Sequence, residues 1–92
     1  MNDFLVHHSQ DNVGVAVVNV SGGKTAQGAT LDGKTTLQLT ATQDIPLGHK
    51  IALQDFKAGD TVVKYGEDIG RVIAAIKKGA HVHVHNLKTK RW

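Results

Sequence analysis

At 92 residues, with eleven lysines and arginines against eight acids and a formal charge of +3, the chain has room for one modest core and no second domain. The absence of cysteine excludes disulfides and thiolate metal sites, leaving histidine, carboxylate and other oxygen or nitrogen donors. No stretch approaches membrane-spanning length, the opening from Met1 to His8 lacks the pattern of a signal peptide, and the one dense basic run is Lys88-Thr89-Lys90-Arg91, so a cytoplasmic protein with neither membrane nor nucleic-acid partner is expected.

Valine, threonine and glycine dominate, and apolar residues alternate rather than recur every three or four positions, which predicts a mainly β single domain over residues 1–92. Phe4 to His8 reads as an opening strand. After the turn signal Asp11-Asn12, Val13 to Val20 is apolar and β-branched enough for a buried strand, with Gly14 marking a bulge or a close approach of another segment. Ser21-Gly22-Gly23-Lys24 ends it, and Thr25 to Thr30 is small and polar, a loop or an edge. Asp32-Gly33 suits a tight hairpin turn, and Thr35 to Thr42 alternates with Leu37 and Leu39 on one face.

A local pattern then repeats. Ile45 to Ile51, Phe56 to Val62 and Ile76 to Val82 each read apolar, two residues, glycine, two residues, apolar. Each is expected to be a turn into a strand in which glycine adopts a conformation that a Cβ would penalise. Ala52 to Asp55 is expected to form a helical turn. Thr61 to Tyr65 and Arg71 to Ile76 read as strands separated by a loop over Gly66-Glu67-Asp68-Ile69-Gly70. The end from Leu87 to Trp92 is basic, and suits a subunit contact better than a nucleic-acid grip.

The chemistry concentrates in His81-Val82-His83-Val84-His85-Asn86. Read as a strand, this run puts His81, His83 and His85 on one face and Val82 and Val84 in the core on the other. Neighbours on one strand face stand ~7 Å apart, so three imidazoles from one strand rarely converge on one metal, and further ligands must come from elsewhere. Histidine titrates near neutrality and serves as ligand, base or acid. The bland reading is an exposed strand face on which the rings are merely tolerated, just as Glu67 and Asp68 suit a solvated loop and His7 and His8 a frayed edge.

Gly48-His49-Lys50, Lys64-Tyr65-Gly66, Ile69-Gly70 and the histidine run, in that order, resemble the amino-terminal SAF module of the altronate and galactarate dehydratase family, over about Asp11 to the C-terminus. The resemblance implies a compact β-clip (SAF-like) fold and a lyase. The form it most suggests is the small subunit of a two-subunit enzyme converting 3-sulfolactate to pyruvate and sulfite, with iron as cofactor and a large catalytic subunit as partner. A subunit or module of a sugar-acid dehydratase is the nearest alternative. On that reading His81, His83 and His85 are catalytic, His83 and His85 bind metal, and His49, Lys50, Lys64, Tyr65 and Asn86 contact a small anionic hydroxy acid. From other classes, a stand-alone histidine-based metal-binding protein and a purely structural β-clip domain remain as rivals.

Overall fold

The chain folds around type II-like turns, which place glycine where φ must be positive. In a computed structural model describing residues 2–89, Gly48, Gly59 and Gly79 have φ of 86°, 94° and 88°. The residue after each glycine donates its N–H three residues back: His49 to Pro46 at 2.9 Å, Asp60 to Lys57 at 3.0 Å, Ala80 to Lys77 at 2.9 Å. A fourth turn has the same form. Val20-Ser21-Gly22-Gly23-Lys24-Thr25-Ala26 follows the same apolar–glycine–apolar spacing, with φ of 89° at Gly23 and Lys24 N–H donating to Ser21 at 3.1 Å.

The turns work in pairs. Their leading apolar residues form isolated bridges, Val20 with Ile45 and Phe56 with Ile76, and all four side chains are buried. The residue before the bridge caps the opposite turn: Asp44 accepts from Gly22 N–H at 2.8 Å, Asn19 from Leu47 at 2.9 Å, and Asp55 from Lys78 at 2.8 Å. Such caps satisfy backbone donors that a corner would otherwise leave unpaired.

Between these corners run short strands: β1 (Phe4–Val6), β2 (Val13–Ala16), β3 (Thr25–Thr30), β4 (Thr36–Thr40), β5 (Lys50–Ala52), β6 (Thr61–Lys64), β7 (Glu67–Val72), β8 (His81–Val82) and β9 (Leu87–Thr89). A six-stranded sheet has the order β4-β3-β1-β2-β5-β8, and a three-stranded sheet the order β6-β7-β9. Only β1 with β3 is parallel. One apolar cluster gathers Phe4, Val20, Leu39, Ile45 and Ile51, and a second gathers Val13, Phe56, Val62, Val72, Ile76 and Val82. The mainly β expectation holds, with no helix among the described residues.

Several local expectations are corrected. Thr25–Thr30 is a central strand between β1 and β4, because Gly28 lets the Phe4 ring lie where a Cβ would stand. Gly14 also packs against Phe4, confirming the close approach read from the sequence. Ala52 closes β5, and Leu53 to Asp55 form bends rather than a helical turn, since Leu53 N–H is claimed by Asn12 at 3.0 Å. Glu67 to Gly70 is strand, and the reversal sits instead at Tyr65-Gly66, with φ of 57° and 72°. Both residues at positive φ match a type I′ hairpin. Leu87–Thr89 forms β9, while the rest of the basic tail, Lys90 to Trp92, lies outside the described residues.

Asp3 ties β1 to β3: its carboxylate accepts from Gln27 N–H and from Lys24 Nζ, each at 2.9 Å. The Gln27 donor, then Lys24, hold its pKa below 3.8. A depressed folded pKa stabilises the fold above the unfolded value and loses that contribution as pH falls through the folded one. Urea midpoints are therefore expected to separate wild type from Asp3→Asn above the ordinary carboxylate range and to converge as pH falls through the lowered folded pKa. A constant gap across that range would remove the ionic role of Asp3.

Candidate functional site

The register of β5 on β8 builds the site. Ile51 pairs with His81 and Lys50 with Val82, so the antiparallel pairing brings His49 opposite His83 as the two strands end. Their rings stack at 4.0 Å and 23°. His81 and His83, two residues apart, share a side and lie 5.6 Å from each other at 11°. On the diagonal, His49 Nδ1 and His81 Nε2 meet at 2.8 Å, one donating and the other accepting.

His85 reaches the cluster by a different route from the one expected. The strand ends at Val82, and 83–86 is a turn closed by Asn86 and Leu87 N–H donating to the His83 carbonyl at 3.0 and 2.9 Å. The turn folds His85 back to 5.0 Å from His81. The alternation read from the sequence therefore fails after Val82. Val82 is fully buried, but Val84 is 71% exposed and holds nothing in the core.

Asn86 fastens this turn, accepting from His83 N–H at 3.0 Å and donating to the His81 carbonyl at 2.9 Å while buried. Its amide is spent on backbone. Gln43, which the sequence reading passed over, accepts from His81 N–H at 3.1 Å and fixes the start of the same strand. Nothing in a Thr-Gln-Asp loop signals that role, because the pairing spans 38 residues.

Ligand atoms of His49, His81 and His83 lie within 4.8 Å of one another. The geometry thus groups His83 with His49 and His81, and leaves His85, paired with it in the sequence reading, beside the group. His83 Nδ1 is buried without a hydrogen-bond partner among the described residues. A buried polar atom left unpaired is costly, and the usual occupants of such a position are an ion or an ordered water. Three imidazoles gathered on one site suit a divalent first-row metal, iron included, so the donor set fits.

Burial, then His85, His49, His83 and Lys50, lower the pKa of His81; burial, then His49, Lys50 and His85, lower that of His83. Both rings are therefore neutral at pH 7 and free to ligate or to take a proton. Lys50 is lowered by burial and then by Lys64. No carboxylate pairs with Lys50 or Lys64 among the described residues, whose ion pairs are Lys24 with Asp3 and Arg71 with Asp68. A cationic strip without a counter-charge favours an anion.

Tyr65 stands at the far end of that strip. Its ring stacks on His7 at 4.3 Å, and Lys64 Nζ lies 5.0 Å from its centroid. The buried Asp11 carboxylate holds the turn at positive φ by accepting from Tyr65, Gly66 and His8 N–H at 3.0, 2.8 and 3.2 Å. Lys64 is placed by β6, where Asn12 bonds Thr61 and Val63 at 3.0 and 2.8 Å.

The family described as altronate/galactarate dehydratase SAF domain matches residues 2–90. The chain is 50% identical to the (2R)-sulfolactate sulfo-lyase subunit alpha of Chromohalobacter salexigens, over 98% of this chain and 97% of that one. It is 62% identical over 55 residues to the subunit of the same name from Paracoccus pantotrophus, 60% of this chain and 82% of that one. It is also 42% identical to the altronate dehydratase of Bacillus subtilis over 97% of this chain, which is 17% of that enzyme.

Proposed function

The chain belongs to the altronate/galactarate dehydratase SAF domain family, and from that premise we propose that it is the small subunit of a (2R)-sulfolactate sulfo-lyase. The observation that carries this reading is the match along nearly its whole length to a protein named as one subunit of that lyase, joined to a cluster of imidazoles beside lysines that no described carboxylate pairs with. The dehydratase alternative has less support, since there the match covers a sixth or so of the enzyme.

The reaction removes the proton from the hydroxyl-bearing carbon of 3-sulfolactate. That electron pair forms the carbon–carbon double bond, the carbon–sulfur pair leaves with sulfite, and the resulting enol tautomerises to pyruvate. In our reading the imidazole of His85, outside the group of three and 5.0 Å from His81, takes the proton. Lys50 and Lys64 receive the carboxylate and sulfonate charges, and Tyr65 orients Lys64. Asn86 serves by positioning the turn rather than by touching substrate. His49, His81 and His83 would hold the metal, with iron as the proposed ion; a divalent cation there supplies Lewis-acid stabilisation of the enediolate charge.

A 92-residue module with an open imidazole cluster does not enclose such chemistry. Sulfite release is expected from this chain combined with its large subunit and from neither alone. Turnover of 3-sulfolactate by the isolated chain would refute the division of labour. A pair that dehydrates altronate and leaves 3-sulfolactate untouched would transfer the chain to the dehydratases, and tight stoichiometric iron or zinc binding without any lyase activity would favour a metal carrier.

A further inference from the structure

Val84 is the residue the sequence assigns to the core and the fold assigns to solvent, 71% exposed between two imidazole-bearing neighbours. It is not alone. Leu47, 60% exposed, stands two residues before His49, whose ring stacks on His83. Ile73, 53% exposed, donates its N–H to the Asn86 carbonyl at 2.9 Å and so adjoins the other end of the same turn. Beyond it opens a groove of about 510 Å³ lined on one part by Ala74, Ala75, Ile76 and Ala80 and on another by polar groups that include Lys77, His85 and Asn86. His85 belongs both to the groove and to the imidazole cluster. Large apolar side chains gathered around a functional cluster, rather than scattered singly, mark an interaction surface.

We infer that this face, with Val84, Leu47 and Ile73 surrounding the imidazoles and the groove beside them, is where the large catalytic subunit docks. The inference rests on the reading above that the chain is one subunit of a two-subunit lyase. Charge selects that occupant over a second copy of this chain. Two copies meeting here would set the Lys50 and Lys64 cations against their own duplicates, and no carboxylate among the described residues pairs with either. Like charges brought together on docking are repulsive, whereas a partner bringing acids would complete the site and balance it. The relatives agree with a contact that is either covalent or not: the same stretch is 17% of one polypeptide in an altronate dehydratase and a separate subunit in the sulfo-lyases. Closing this face would also exclude water from the carbon acid.

The test is association of the two subunits, measured by titration and co-elution. Val84→Asp and Ile73→Asp are each expected to weaken binding by about tenfold or more, as burying an unpaired carboxylate in an apolar contact does. Leu31→Asp, 57% exposed on the β3–β4 hairpin at the end of β4 away from the Thr40 contact with Gly79, is expected to bind as wild type. All three are solvent-facing changes, and unchanged melting temperature and metal uptake of the isolated variants confirm that the fold and the imidazoles are intact. A wild-type complex that tolerates both Val84→Asp and Ile73→Asp overturns the docking face while the lyase reading stands. So does equal weakening by Leu31→Asp, or loss of a self-dimer in light scattering with the mixed complex unaffected. A wild-type chain that neither binds the large subunit nor supports sulfite release overturns both.

Discussion

Replacing His83 by glutamine is expected to cut sulfite release by the two-subunit enzyme by about 10²–10⁴-fold while moving the melting temperature of the small chain by no more than a few degrees. The asymmetry follows from what His83 does in the fold. Its Nδ1 is buried and bonds to nothing described, so the fold loses no side-chain hydrogen bond there when the ring goes. The turn carrying it is held by the backbone of residue 83 and by the Asn86 amide, both kept in the variant. What disappears is one of three nitrogens gathered within 4.8 Å. The pH profile carries a second signature. Because burial and neighbouring cations lower the pKa of His81 and His83, their protonation, and with it the acid limb of kcat/KM, is expected below pH 6.5. An acid limb above that value, or a His83→Gln enzyme with wild-type turnover, would leave the cluster without a chemical role.

Much of this site was readable from residue order, but its cause was not. The sequence announces three histidines at period two, and they do meet. His81 and His83 meet across the end of the strand, whereas the third arrives because the chain leaves the strand at Val82 and turns. Period-two patterns cannot show where a strand stops, and the stop here depends on Asn86 bonding back to residues 81 and 83. The fourth ring, His49, was read as a substrate contact; that it stacks on His83 follows from a pairing of strands some thirty residues apart. The corners were more legible, because positive φ is a local demand that glycine answers wherever it falls. Even so, the Val20 turn was missed, since Ser21-Gly22-Gly23 resembles a simple terminator until its bridge to Ile45 is seen. Thr25–Thr30 was missed for the opposite reason. Its interior residues, Ala26 to Ala29, lack strand propensity, and its place is dictated by Phe4, which needs the bare backbone of Gly28 beneath its ring.

The strongest structural demand lies two residues before the first site histidine of β8. Gly79→Ala is expected to destabilise the isolated chain by about 2–5 kcal/mol, the sum of about 1–2 for a Cβ at positive φ and about 1–3 for overpacking. At φ 88°, its Cβ would overlap the Thr40 carbonyl oxygen, a backbone atom that cannot rotate away. Nor can residue 79 retreat, because its N–H donates to Ala52 at 2.8 Å and its carbonyl accepts from Thr42 at 2.9 Å. For a domain of this size the loss corresponds to roughly 10–40 °C in Tm, a large share of total stability. Gly59→Ala separates the two causes. Its φ is 94°, but a Cβ there meets nothing within 4 Å, so only the conformational part, about 1–2 kcal/mol, is expected. Equal Tm losses in the two variants would mean that β4 does not press on this turn. A larger loss at Gly79 would show that the strand presenting His81 is seated by backbone contact from the far side of the sheet, which is how so small a module holds its imidazoles in register without a helix or a disulfide.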